Sequence, residues 1–409
     1  MRITPPEALQ LILGCVSPLP AGRQPLQDIL GLAAAEDLFS AAQVPPFTNS
    51  AMDGYAVRSE DLADASSARP IRLRVLGDLA AGSVPLGAVG SGEAWRIMTG
   101  APLPEGADAV VPVEDTLRGE DWMETRKPLR AGIHIRLAGE DLQEGQLLVR
   151  AGQALRPGDL GVLAAAGQAA VNVHPRLRVA VLTTGDELVD VAEQPGPGRI
   201  RDANIHAVCA QVTAFGAIPV PYPRVPDDRD TLLKVLRKAL EADVVLTTGG
   251  ISVGDYDFMK GLLEDLGAER IFWRVAQKPG GPLGFWMLGG RPIFGIPGNP
   301  VAAMLMVEEY VRPALRKMMG FANLHRPVAE AILDGGWAGK AGDLRTTFLR
   351  VVARREGGRL HARLTGPQGS AILSSMLQAN ALAVIPDGLG QVAPGGPVPL
   401  HLTEEAEDH

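Results

Sequence analysis

Between Pro175 and Phe321 the chain alternates two hydrophobic patterns. Short apolar runs of strand length, such as Val179 to Leu182, Val244-Val245-Leu246 and Pro292 to Ile296, end in turn residues and give way to stretches with apolar positions at helical spacing. Ile205, Val208, Cys209 and Val212 make one such stripe, stopped by Gly216. Leu232, Val235, Leu236 and Ala239 make another, entered through Asp227 and Asp228. Phe258, Leu262 and Leu266 make a third, stopped by Gly267. A Pro-broken strand is expected from Ile218 to Tyr222. A further helix is expected from Val301 to Met318, with Asn299 and Pro300 as N-cap and first-turn pair. This alternation predicts a central doubly wound, mainly parallel α/β domain over 175–323, with helices on both faces of the sheet.

The pattern changes on either side. Residues 1–43 read as helices, one opening at Pro6 with Ala8, Leu9, Leu11 and Ile12, a second running through Leu26, Ile29, Leu30, Leu32 and Ala33. Helical spacing returns in 140–174 through Leu160, Leu163 and Ala164. Between them, 44–139 reads as strands. Ile71 to Val75 alternates cleanly, and 95–114 holds two apolar runs around a loop headed by Thr99 and Gly100. A discontinuous helical domain, 1–43 and 140–174, is therefore expected to carry an inserted β domain at 44–139. Residues 324–409 show short alternating runs, such as Phe348 to Val352 and Ala383 to Ile385, between Gly-rich turns. They predict a small C-terminal β barrel or sandwich. The expected fold class is multidomain α/β plus β.

The length of 409 residues agrees with about two to four domains. The formal net charge of −8 argues against a nucleic-acid protein built on a basic face, and an anionic substrate then has to be met by a local group of Lys and Arg. With 4% aromatics against 48 Gly and 33 Pro, the interior is expected to be aliphatic and the turns many. Cys15 and Cys209 make neither a metal spacing nor a disulfide framework, which fits a reducing cytoplasm, and Cys209 lies on an apolar helix face. No charged-then-apolar leader opens the chain. The longest apolar candidate, Leu160 to Val173, is short and carries Gln168 and Asn172, so no membrane span is expected.

Candidate chemistry gathers on two turns that end alike. Leu-Thr-Thr-Gly closes the apolar runs at 182–185 and at 246–249. Two such strands in a parallel sheet would lie side by side and deliver their turn residues to one crevice. The first turn carries Asp186 and Glu187. The second carries Ser252, Asp255 and Asp257. Backbone N–H groups there suit phosphate, and the carboxylates suit a hard cation. Asp255 and Asp257 suit helix caps equally well. Asp53 sits in an exposed turn of VPPFTNSAMDGYAV, residues 44–57, where a carboxylate commonly caps its own backbone. Lys278 lies on a Lys-Pro-Gly-Gly turn between two strands within 272–286, a position that also suits a solvated surface lysine. Arg345, Arg350 and Ser370 are candidate anion contacts, with Ser370 alternatively capping a short helix from Ala371.

Several stretches, taken in order, resemble the molybdopterin molybdenumtransferases, the bacterial relatives of the gephyrin E domain. They are PPFTNSAMDGYAV at 45–57, RIMTGAPLPEGADAVVPVE at 96–114, AGEDLQEGQLLVRAGQALRPGDLGVLAAAG at 138–167, VLTTGDEL at 181–188, TTGGISVGDYDF at 247–258, KPGGP at 278–282, FGIPGNPVA at 294–302 and TGPQGS at 365–370. The resemblance covers nearly the whole chain. It implies an elongated cytoplasmic homodimer of four-subdomain protomers. It implies an enzyme that takes adenylylated molybdopterin and molybdate, and releases AMP and molybdenum cofactor with Mg²⁺. By resemblance, Asp53, Thr99, Glu187, Asp257 and Lys278 carry catalysis, with Asp53 and Thr99 facing the site from the partner subunit. Thr184, Gly185, Asp186, Asp227, Gly249, Gly250, Ser252, Pro297, Pro300, Arg345 and Ser370 bind substrate. Asp186, Glu187 and Asp257 hold the metal, and Lys278, Arg345 and Ser370 lie near molybdate. The molybdopterin adenylyltransferase and apo-molybdoenzymes are the implied partners, with neither nucleic acid nor membrane among them.

The residue types agree with that chemistry. Carboxylates hold Mg²⁺, which neutralises a pyrophosphate link, and Lys and Arg meet an oxyanion. The molybdenum ends on dithiolene sulfurs of the pterin, so no cysteine ligand is required. One departure stands out. The family pattern has Lys at both ends of the turn, and here the second position is Gly281, leaving Arg345 or Arg350 to compensate. The neighbouring adenylyltransferase step, for which 175–321 alone has a resemblance, and a gephyrin-like scaffold role are the alternative readings.

Overall fold

The computed structural model describes residues 3–249, 258–340 and 342–408. Its central sheet has six strands in the order Ile218–Val225, Arg178–Thr184, Val244–Thr248, Arg291–Ile296, Gly284–Leu288, Glu269–Trp273. The first four run parallel and the last two pair antiparallel. Side chains alternate along each strand, so one apolar run feeds two cores. Val179 and Val181 pack into one cluster with Ile205, Val208 and Val212. Ala180 and Leu182 pack into the other with Leu232, Leu236, Leu262 and Leu263. The sheet is thus covered on both faces, as the alternation predicted.

The helices follow their capping signals. Ala203–Ala214 is capped by Asp202, whose carboxylate accepts from the Ile205 N–H, and is followed by Gly216 at φ 88°. Arg229–Ala239 is capped in the same way by Asp228. The last helical stretch is not uniform. An α-helix over Pro300–Met306 widens into a π turn over Val307–Val311 and resumes as Arg312–Met318. Pro313 has no N–H to give the Glu309 carbonyl, and the turn ahead of it is the widened one.

The expected helix through Leu26 to Ala33 does not form. Gly22–Pro25 is a strand paired antiparallel with Ala170–Val173, Leu26–Asp28 is a single 3₁₀ turn, and Ala33 and Ala34 bridge to Ala154 and Val173. Gly31, at φ 77°, takes the chain out of helical conformation. Ile29, Leu32 and Ala34 still bury together with Leu155 and Leu163, because a bent chain brings them to the same small core. The first helix, Pro5–Cys15, buries Ala8 and Ile12 in the α/β core. The returning segment supplies the helix Pro157–Ala165.

The insertion forms a six-stranded sheet of its own, joined where Asn49–Ser50 pairs with Ile135–Arg136. In the C-terminal part, Thr346–Glu356, Arg359–Leu364, Val328–Leu333, Gly396–Leu402 and Ala381–Ile385 close into a ring, so it is a barrel rather than a sandwich. Lys278 has a different setting from the one expected. Gln277–Lys278 leaves the α/β sheet and pairs in parallel with Thr346 and Thr347 of the barrel.

Candidate functional site

The twin turns lie side by side. Leu182 is registered with Thr247 and Thr183 with Thr248, so both Leu-Thr-Thr-Gly runs end on adjacent parallel strands. Gly249, at φ 87°, lies so close to its neighbour that a Cβ there would stand 2.5 Å from the Thr184 carbonyl oxygen. Both the left-handed backbone and the close approach demand glycine. At Gly185, φ 144°, a Cβ would meet only the carboxylate end of the Glu187 side chain, which can move aside.

A cavity of about 780 Å³ opens at this end of the sheet. Among the described residues it is lined by Thr184 and Glu187 from the first turn, Thr248 from the second, the Lys278–Pro282 turn, Pro297 to Pro300, and Arg345 with Gln368 to Ser370 from the barrel. Thr184, Glu187, Lys278, Pro297, Pro300, Arg345 and Ser370 are therefore brought together. Asp186 and Asp227 stand beside them: the Asp227 N–H donates to Asp186 Oδ1 at 3.4 Å. Burial pushes the Asp227 carboxyl above its ordinary range, and the charges of Asp186 and then Glu187 push it further. Gly250, Ser252, Asp255 and Asp257 lie outside the described residues.

The Ser370 segment docks on the start of the last helical stretch. The Val301 N–H donates to the Ser370 carbonyl, and Asn299 Nδ2 donates to Ser370 Oγ, each at 3.2 Å. Asn299 thus spends its side chain on the barrel loop and makes no side-chain cap bond. Ser370 does not cap a helix from Ala371, since the chain there makes only a 3₁₀ turn over Leu373–Met376 without a side-chain cap.

Arg350 is not an anion contact. It is fully buried. Its Nη1 donates to the Gln368 carbonyl at 3.2 Å, Nη2 to the Pro367 and Gly369 carbonyls at 3.3 and 3.1 Å, and Nε to Ser375 Oγ at 3.1 Å. It lies on the outer face of its strand, opposite the Leu349 and Val351 side chains of the barrel core, and staples the loop that carries Ser370 over that face. It cannot stand in for a lysine at Gly281. Of the two arginines it is Arg345 that reaches the cavity, where it is forked onto Asp343.

Asp53 and Thr99 meet each other and do not line this cavity. Asp53 Oδ1 accepts from the Thr99 N–H at 2.8 Å and from Thr99 Oγ1 at 2.7 Å, and these bonds hold its carboxyl below the usual range. The Asp53 side chain therefore ties two loops of the inserted lobe together.

Three family profiles tile the chain: "MoeA N-terminal region (domain I and II)" at 3–167, "Probable molybdopterin binding domain" at 180–317 and "MoeA C-terminal region (domain IV)" at 332–403. Molybdopterin molybdenumtransferase 2 of Mycobacterium tuberculosis (strain CDC 1551 / Oshkosh) is 38% identical over 379 residues, 91% of this chain and 92% of that protein. The chain belongs to the molybdopterin molybdenumtransferase family. A second member, from Staphylococcus aureus (strain COL), is 35% identical over 399 residues, 97% of this chain and 95% of its own. A crystal structure of a molybdopterin biosynthesis MoeA protein from Pyrococcus horikosii superposes with a TM-score of 0.83 at 32% identity, covering 99% of this chain and 100% of that one.

Within this molybdenumtransferase fold, sequence reasoning missed several cavity residues. Asn204 Nδ2 donates to the Gly298 carbonyl at 2.8 Å and to Thr248 Oγ1 at 3.4 Å, fastening the GIPGNP loop to the second turn. Its signal was its place in the first turn of a helix beside the crevice. Gln277 is buried at 0% exposure, with Nε2 donating to the Pro279 carbonyl at 2.9 Å and Oε1 accepting from the Tyr310 hydroxyl on the π turn. Nothing local marks Gln277, because Tyr310 is distant in sequence.

Proposed function

We propose that this chain, an enzyme of molybdenum cofactor biosynthesis by its family, inserts molybdate into adenylylated molybdopterin with Mg²⁺-dependent release of AMP. The supporting observation is the charge layout of one cavity. Glu187, with Asp186 and Asp227 beside it, stands at the carboxyl end of the sheet, while Lys278 and Arg345 stand on the barrel side. A ligand with a phosphoanhydride at one end and an oxyanion to receive at the other finds partners for both.

Mg²⁺ is the cofactor this reading requires. The donor set fits it: hard carboxylate oxygens, close enough for Asp186 and Glu187 to raise Asp227. Among the described residues no three His, Cys, Asp or Glu side chains make a complete metal site. Asp186 and Glu187 would hold the ion together with Asp257. When bound, it neutralises charge on the anhydride that breaks. Thr184 and Thr248 offer hydroxyls to phosphate at the strand ends. Lys278, Arg345 and Ser370 orient molybdate, and the bidentate donors of Arg345 suit its oxygens. Cys209 packs against the α/β core, its thiol pushed up to about 11 by burial, and does not line the cavity.

The protein works as a cytoplasmic homodimer in this reading, with Asp53 and Thr99 completing the partner's cavity. It receives its substrate from the molybdopterin adenylyltransferase and passes cofactor to apo-molybdoenzymes. AMP release from adenylylated molybdopterin, with and without Mg²⁺ and molybdate, tests the reaction. Subunit exchange tests the sharing. Asp53→Ala and Glu187→Ala proteins should each be inactive alone. Mixed dimers would hold one intact site, so the mixture should recover about a quarter of wild-type activity. No recovery after demonstrated exchange would refute a shared site.

A further inference from the structure

The two cations on the barrel side of the cavity differ in their surroundings. Arg345 Nε and Nη2 donate to Oδ1 and Oδ2 of Asp343 at 2.8 and 2.7 Å, and the Arg345 backbone N–H adds a bond to Oδ1 at 3.2 Å. This fork holds one edge of the guanidinium and leaves Nη1 and the second Nη2 hydrogen for a ligand. Asp343 is the more shielded partner, its side chain 18% exposed against 38% for Arg345. The Arg345 hydrogen bonds pull its carboxyl down to about 2, with a smaller contribution from the Lys278 charge, so Lys278 also lies within electrostatic reach. Among the described residues, those charged and lining the cavity are Glu187, Lys278 and Arg345. On the barrel side a bound oxyanion therefore meets two cations and, just behind them, one permanent carboxylate.

We propose that Asp343 sets the affinity of this cavity for its oxyanion: it fixes the orientation of Arg345 and cancels one of the two positive charges that face the ligand. The inference rests on the placement of molybdate at Lys278 and Arg345 under the proposed function. Asp343 acts through Arg345 and is a positioning and affinity-determining residue, not a catalytic one. Its charge separates from its shape. In Asp343→Asn an amide oxygen still accepts from Arg345, so orientation is largely kept while the charge is lost. Bulk-water screening gives the smallest effect to expect. A unit charge about 8 Å from the ligand then changes the affinity of a monoanion about twofold and that of a dianion about sixfold.

The test is direct calorimetric titration of the full-length protein with molybdate and, separately, with perchlorate, a tetrahedral monoanion. Asp343→Asn should bind molybdate about sixfold more tightly and perchlorate about twofold more tightly than wild type. The split between the two anions is a readout that a merely structural role would not move. Asp343→Ser, which removes the charge with less bulk, should shift both anions in the same direction and covers the case in which the Asn variant folds poorly. Equal or weaker molybdate binding in both variants overturns the inference. If Arg345→Ala and wild type bind molybdate alike, the placement of the oxyanion itself is wrong, and the inference falls with it.

Discussion

Replacing Arg350 by methionine separates two roles that the sequence leaves indistinguishable. Were Arg350 an anion contact, its loss would weaken molybdate binding and leave folding intact. The structure predicts the reverse order of effects. The guanidinium makes four hydrogen bonds, three of them to the carbonyls of residues 367–369. At about 1.5 kcal/mol for each bond from a charged donor, they contribute roughly 6 kcal/mol. Burial lowers the Arg350 pKa by more than two powers of ten in proton affinity, to about 10. At about 1.4 kcal/mol per tenfold change in proton affinity, keeping the charge inside costs about 3 kcal/mol. The net contribution is roughly 3 kcal/mol, of which a buried methionine would return about 1 kcal/mol through its apolar surface. Arg350→Met should therefore lose about 2 kcal/mol, and the melting temperature of the barrel should fall by about 10 °C. The freed 367–370 loop should become the first site of limited proteolysis. Molybdate binding should weaken only as far as Ser370 loses its place. Thermal unfolding, timed digestion and calorimetry on one preparation check all three. An unchanged melting temperature with molybdate affinity lost more than tenfold would refute the reasoning.

The remaining expectations are more local. Gly281 is not in the left-handed region, and a Cβ there would meet only carbonyl oxygens at 3.6 Å, so Gly281→Lys should fold normally and lower the molybdate concentration for half-maximal AMP release; Gly280→Ala, at φ 91° and against Met306, should be destabilised. Gly249→Ala should destabilise by about 3 kcal/mol, from the left-handed backbone and the approach to the Thr184 carbonyl, and an unaltered denaturation midpoint would contradict this. Burial alone would lower the His401 pKa, but the hydrogen bond and charge of Glu309, aided by Glu308, outweigh it and hold it above 6.5. A raised folded-state value means that the contribution is full below the unfolded pKa and is lost as pH rises through the folded one. The stability deficit of His401→Gln should then be larger at pH 6 than at pH 8.5, as melting curves at the two pH values would show.

The chain exposed its central domain because local signals and the fold agree there. Asp202, Asp228, Gly216 and Gly267 each sit where a cap or stop belongs, and the shared Leu-Thr-Thr-Gly ending places two turns side by side. Tertiary context decided elsewhere. Leu26 to Ala33 has helical spacing, yet the backbone groups of Leu26, Gly31 and Leu32 bond to Ala169 and Leu155, more than a hundred residues away. Arg345 and Arg350 lie close together on one segment, and only the 367–369 loop, folded back over the outer face of the strand, buries the second. Pairing of Gln277 and Lys278 with Thr346 and Thr347 is equally non-local, and no turn residue announces it. In each case the deciding partner is remote in sequence.

That ladder explains why opposite charges can share one cavity without collapsing onto each other. Glu187 follows a buried parallel strand, and its backbone carbonyl accepts from the Ile200 N–H at 2.8 Å. Lys278 belongs to a segment fastened at three points: to the barrel by its pairing with Thr347, to the π turn through Gln277 and Tyr310, and to its own turn through Gln277 and the Pro279 carbonyl. A flexible pair of this kind would tend to close into an ion pair in open solvent, where it gains under about 1 kcal/mol. Mounted on two separately packed units, the charges instead stay apart and keep their hydrogen-bonding capacity for a ligand that spans them. The polar residues that do the mounting are therefore part of the site. A substitution such as Tyr310→Phe removes a bond from Gln277 inside the core and acts on the position of Lys278, a side chain it does not touch.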